Sequence, residues 1–147
     1  MASIREQILA KIVTLLDAGN IGAPVDRSRT EAVSRQQSPR VIVLPGADVA
    51  RQSTVPFLDW TLAVHVVVYV RGEAPDSLAD PIITAAHAAL MADETLGGLA
   101  MTILPAGVHF ELADSDAAVC VATCEYRIQY RTEPVSYTHL RAHETVL

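Results

Sequence analysis

Apolar side chains at Ile4, Ile8, Leu9, Ile12, Leu15 and Leu16 alternate with Arg5, Gln7, Lys11 and Thr14. That spacing is the 3.6-residue period of a helix with one buried stripe, and it predicts a helix over Ser3–Ala18. Ser3 and Glu6 form a capping-box pair at its start, the hydroxyl serving an unpaired backbone N–H and the carboxylate reaching back. Gly19 and Asn20 suit the left-handed turn that ends it. Farther along, the period changes to two. Over Asp59–Arg71, Trp60, Leu62, Val64, Val66, Val68 and Val70 share one face, and Thr61, Ala63, His65, Val67, Tyr69 and Arg71 share the other. Ala117–Thr132 repeats the pattern, with Cys120, Cys124, Tyr126, Ile128 and Tyr130 opposite Thr123, Glu125, Arg127, Gln129 and Arg131. Both segments read as strands with one face turned to a core.

Shorter strands are predicted at Val25–Arg29, Arg40–Leu44 and Val108–Leu112, the last with Val108, Phe110 and Leu112 inward. A second helix is predicted over Pro81–Ala92, with Asp80 as its cap, Pro81 in the first turn and Ile82, Ile83, Ala86 and Leu90 as its stripe. Pro45–Leu58 holds Pro45, Gly46 and Pro56 without clear periodicity and reads as a long loop. Gly97–Gly98 marks a turn. The order α-β-β-β-α-β-β groups its strands, which predicts an α+β domain: an antiparallel or mixed sheet of about five strands with two helices packed on one face.

With 147 residues, 50% of them hydrophobic and 19% charged, the chain has the length of one domain and enough apolar surface for a core. Mean hydropathy is +0.27, yet no apolar run approaches the roughly 18–20 residues of a membrane span. No charged-then-apolar leader precedes a small-residue cleavage site, so no signal peptide is expected. The net charge of −6 argues against a binder of phosphate backbones.

The chain holds few motifs of recognisable chemistry. No G-x-G, Walker or G-x-S-x-G pattern occurs. His65, Asp59 and a serine could be drafted into a triad, but no spacing supports it; His65 and Tyr69 remain open as the site of a small-molecule-binding or enzymatic domain. His87 falls in a helix and His109 on a strand's polar face. Cys120 and Cys124 share one parity and read as core packing. Glu111, Asp114 and Asp116 lack the spacing and glycine of a calcium loop, which leaves a solvated turn. Catalytic, metal and cofactor residues are therefore not expected, and neither is enzymatic activity. Arg27, Arg29, Arg35, Arg40 and Arg51 are the one basic concentration, interleaved with Asp26, Glu31 and Asp48. Salt bridges across a subunit boundary suit that group better than nucleic acid does.

The stretches SIREQILAKIVTLL, VDRSRTEAV, LDWTLAVHVVVYVRGEAPDSLADPIITAAHAALMAD, ETLGGLA and YRIQYRT resemble the tail terminator proteins of long-tailed bacteriophages, the minor tail protein U type. The likeness is carried by the ordered set: the N-terminal helix, Arg27–Arg29 as R-S-R, the strand closing on Tyr69–Gly72, the A-D-P-I helix start at Ala79–Ile82 and His87–Met91. It covers most of residues 3 to 132. What it implies is a structural virion protein of the tail or neck, assembled in the host cytoplasm. Such proteins form a ring, expected here as a homohexamer, which caps the tail tube, ends its polymerisation and presents a surface for head–tail joining. The implied partners are further copies of the chain, the tail tube protein and the head–tail connector. DNA is cargo passing through the lumen, and no membrane or cofactor is involved. A related neck protein is the near alternative, and a small-molecule-binding or enzymatic domain the distant one. A head-to-tail ring needs two different complementary surfaces. The candidates are Arg27, Arg29, Arg35 and Arg51 on one side and Glu111, Asp114 and Asp116 on the other.

The final residues are expected to have a different origin. VSYTHLRAHET, Val135–Thr145, resembles at every position one reading frame of a transposon-type sequencing adapter. His139 and His143, spaced i, i+4 beside Glu144, would otherwise be the best metal motif in the chain. The expected organisation is one domain over residues 1–134 and a non-native tail over 135–147. Deleting Val135–Leu147 is expected to leave the thermal melting midpoint unchanged; a clear drop would show that the tail had become structural.

Overall fold

The alternation over Asp59–Arg71 produces the central strand of the sheet. In the computed structural model, which describes residues 2–33, 37–52, 56–114 and 118–133, the elements are α1 (Ile4–Ala18), β1 (Val25–Arg27), β2 (Arg40–Gln52), β3 (Leu58–Arg71), α2 (Pro75–Met91), β4 (Thr102–Asp114) and β5 (Ala118–Thr132). The five strands form one mixed sheet in the order β1-β2-β3-β5-β4. β1 lies parallel to β2, and the other neighbours are antiparallel. The domain is α+β, with both helices on one face.

Trp60, Leu62, Val64, Val66, Val68 and Val70 turn toward the helices and are buried with Cys120, Ala122, Cys124, Tyr126, Ile128 and Tyr130 of β5. Ile8, Leu9, Ile12 and Leu16 of α1 and Ala79, Ile82, Ala86 and Leu90 of α2 close the layer. Each fully buried aliphatic chain contributes about 1.5–3 kcal/mol to the driving force. The opposite face carries no covering layer among the described residues. At one end of the core Trp60 stacks on its cross-strand partner Tyr130, ring centroids 6.1 Å apart, and its indole N–H donates to Thr132 Oγ1 at 2.9 Å.

Several boundaries differ from the expectation. The supposed loop Pro45–Leu58 is strand as far as Gln52. Its proline and glycine sit in a bulge between Pro45 and Asp48, where a missing N–H and an extra residue are tolerated beyond the short reach of β1. Gly46 fits closely there, since a Cβ would stand 3.1 Å from the Ala63 Cβ and press on it. β4 extends from Thr102 rather than Val108 and bulges between Pro105 and Gly107. Pro45, Val64, Tyr126 and Pro105 occupy one row across the sheet, so both flanking strands bulge at the same level.

α2 begins at Pro75, not Pro81, and Asp80 is an exposed helical residue rather than a cap. Pro75 takes the first-turn place where a proline lacks no needed donor. β1 ends at Arg27, because Ser28 turns to φ +54°. At the start of α1, Ser3 accepts from the Glu6 N–H at 3.1 Å as expected, but the Glu6 carboxylate turns to Arg27 instead of reaching back. The left-handed residue after α1 is Asn20 at φ +50°, while Gly19 stays right-handed.

Asp48, only 8% exposed, fastens α1 to the sheet by accepting the Tyr130 hydroxyl and pairing with Arg5 at 3.2 Å. Removing the carboxylate takes a hydrogen bond from a buried phenol and an ion pair from a guanidinium. Asp48→Ala is expected to cost about 2–4 kcal/mol in denaturant unfolding, and Asp48→Asn, which keeps an acceptor, less. Equal losses from the two would show that the charge, not the hydrogen bond, matters.

Candidate subunit interface

β4 is an edge strand, and from Leu104 to Asp114 every one of its residues is exposed. Val108, Phe110 and Leu112 lie opposite Cys124, Ala122 and Cys120, so they do face the helix side, as their parity predicts. They are nevertheless not core: their exposures are 45%, 48% and 63%. The reason is tertiary. α2 packs over β3 and β5 and leaves a groove between itself and β4, with Ile83, Thr84 and His87 facing Pro105 and Val108 at one end. At the other end Asp76, Ser77 and Asp80 face Phe110 and Leu112. The groove has an apolar floor and an acidic rim. Long, flat apolar edges are uncommon on monomers, because their unpaired backbone groups recruit other strands.

The expected arginine group divides in two. Arg27 pairs with Glu6, with Nη2 donating to Oε1 at 2.8 Å. That bond holds the Glu6 carboxyl below the usual range and the Arg27 guanidinium above its own. Arg29 donates to Asp26 at 3.1 Å, to Gln37 at 2.6 Å and to the carbonyls of Glu31 and Ala32, so it organises the loop after β1. Arg40 stands 3.5 Å from Asp26. These guanidiniums serve the fold. Arg51 lies at the far end of β2, exposed and opposite Asp59. Glu111, 73% exposed, and Asp114 stand on the outer half of β4. Arg35 and Asp116, and the tail with His139 and His143, lie outside the described residues.

The strongest feature of this surface is one that motif reading passes over. From Gly72 to Tyr126 the chain has nine Asp or Glu and no Lys or Arg, whereas residues 1–71 have eight bases and six acids. The fold turns this linear asymmetry into a lateral one. Residues 72–126 supply α2, β4 and the first half of β5, the side of the domain that ends at the free β4 edge. Residues 1–71 supply α1 and the β1–β2 edge. Counting charges by segment would have found it.

The drafted catalytic sets do not converge. His65 and Asp59 are six residues apart on one strand, about 20 Å at 3.3 Å per residue, and His65 and Tyr69 about 13 Å. His65 Nε2 instead stands 3.5 Å from Glu125 Oε1, its cross-strand neighbour, which also accepts from Arg127 at 3.1 Å. Asp59 accepts from Arg131 at 2.7 Å, and the Tyr69 hydroxyl accepts from Arg71. His87 Nδ1 and the Tyr126 hydroxyl are 3.0 Å apart, with burial pushing the phenol up to about 12. Among the described residues no group of three or more His, Cys, Asp or Glu comes together to hold a metal, and no helix is long and apolar enough to cross a membrane.

No protein-family model matches the chain, and no curated protein is similar to it. One solved structure aligns with 88% of this chain and 96% of its own at 18% identity and a TM-score of 0.44. Likeness at that level carries no argument.

Both cysteines are buried and free, as their parity predicts. Burial pushes the Cys124 thiol up to about 11, and burial together with the charge of Asp76 raises Cys120. Neither is a nucleophile at neutral pH. A thiol reagent is expected to find no reactive cysteine in the native protein and two after denaturation; rapid native labelling would place one of them in an open site.

Proposed function

We propose that this protein is a structural subunit of a long phage tail, one that assembles as a hexameric ring, caps the tail tube and ends its polymerisation.

 The observation that carries this reading is the β4 edge. Among the described residues a strand of 13 residues is left unpaired on one side, with Val108, Phe110 and Leu112 in a row above an acidic rim. A surface of that kind suits a subunit whose final state is an assembly. The ordered segments that resemble tail terminators supply the assembly's identity, and with it a hexameric ring in the virion tail. In this reading the partners are further copies of the chain, the tail tube protein below and the head–tail connector above, with DNA passing through the lumen. The protein performs no catalysis and needs no cofactor. Its work is done by shape, edge pairing and charge.

The decisive experiment adds the purified chain to tail tubes growing from their own tube protein. Growth is expected to stop at the ends the protein occupies, and electron microscopy should show a ring there that accepts filled heads. Tubes that grow on unchanged, with no density at their ends, would overturn the terminator reading. A protein that binds heads but not tubes would make it a connector component instead.

A further inference from the structure

The two edges of the sheet are open at different levels. Among the described residues β4 has no neighbour beyond β5, while β1 covers only Val41–Val43 of β2 and leaves Asp48–Gln52 open on the side away from β3. The two edges also differ in charge. Pairing β4 with β4 of a second copy about a two-fold axis would bring Glu111 and Asp114 of both copies together, with Asp76 and Asp80 close behind. Like charges facing each other across a ladder are destabilising. The open part of β2 carries Val49, 62% exposed, and Arg51, and it belongs to the half of the chain in which bases outnumber acids.

We propose that β4 of one copy takes up the Asp48–Gln52 edge of a second copy, so that the sheet continues from subunit to subunit, head to tail. The contact deepens the ring reading and rests on it only for closure. Strand directions allow it. β2, β3, β5 and β4 alternate in direction, so β2 and β4 run opposite ways. A copy related by rotation about an axis inclined to the strands by less than a right angle therefore presents β2 antiparallel to β4. Phe110 and Leu112, on the helix side, lose part of their exposure, and Arg51, which shares the bare face with Glu111, moves toward that carboxylate.

The level of the two edges adds a geometric consequence. Asp48 lies in the row of Leu62, Ile128 and Ile103, whereas the exposed apolar row is at Val108–Leu112. Joining them staggers successive copies along the strands, and a stagger of this kind is what a sheet needs in order to close on itself.

The test uses the full chain and two double variants, one at each edge: Phe110→Glu with Leu112→Glu, and Val49→Asp with Arg51→Glu. Sedimentation velocity at low ionic strength and high protein concentration is expected to show wild type in oligomers larger than dimers. Each variant alone should be monomeric. Their equimolar mixture should stop at a one-to-one dimer, because each partner keeps one intact edge. Raising the salt should weaken wild-type association about tenfold or more, since the attraction is partly between exposed charges. Should the glutamates on β4 disturb folding, Glu111→Lys with Asp114→Lys, at exposed positions, is expected to behave in the same way.

Self-association of the β2-edge variant through β4 would overturn the proposal in favour of a two-fold dimer. A wild type that stays monomeric, or a mixture that stays monomeric, would overturn it as well. The tube assay separates this contact from the terminator reading. If wild type caps tubes while the β2-edge variant self-associates, the contact is wrong and the terminator reading stands. If the mixture gives its dimer while wild type ignores tube ends, the contact stands and the terminator reading falls.

Discussion

The structure depends on the registration of β3 between two long antiparallel neighbours. Trp60 through Val70 alternate strictly, and each inward residue meets an inward residue on β5: Trp60 with Tyr130, Leu62 with Ile128, Val66 with Cys124. A slip of one residue would drive Asp59, His65 and Arg71 toward α1 and α2 and bring the valines to the bare face. Charged groups without partners inside the core would make that slip costly. Everything else is placed relative to this pair: the helices cover its inward face, β2 and β4 extend it, and both flanking strands bulge where their prolines meet its central row.

The helical layer is narrower than the sheet. Its two helices protect β3 and β5 thoroughly, and at the margin α2 covers β4 only in part. Apolar alternation continues along β4 beyond the point where anything covers it. In a protein that remains alone, that strand would be a liability for aggregation. In a protein that joins copies of itself, the same strand is the contact.

Charge runs in the same lateral direction as the exposed edge. Arg27 at the end of β1 and Arg29 just after it are held in local ion pairs, and exposed pairs of that kind contribute only about 0–1 kcal/mol each. Their neutralisation leaves the acidic half, α2 and β4, to dominate the field of the domain. Such a field acts over roughly a Debye length, about 10 Å at 0.1 M salt. It disfavours like edges meeting and favours unlike ones, so it selects orientation more than it supplies affinity.

Periodicity alone determined the first helix, the two long central strands, their inward residues and the α+β order, because burial on one face writes itself into a repeat of 3.6 or two. It also put Val108, Phe110 and Leu112 on the helix side of the sheet and the two cysteines in the core. What it could not determine was coverage. Whether an inward-facing residue is buried depends on how far a helix from elsewhere in the chain extends over it, and α2 leaves Val108, Phe110 and Leu112 partly exposed. The same holds for Pro45 and Gly46, which signal a loop locally but sit in a strand because Val64 and its neighbours offer a ladder to join. Arg27 and Arg29 look like a free basic patch in sequence, yet Glu6, 21 residues from Arg27, comes within hydrogen-bond reach only when α1 docks beside β1. The run of acids without a base was present in the sequence throughout, but only the strand order, which sends that run to one edge of the sheet, makes it a surface.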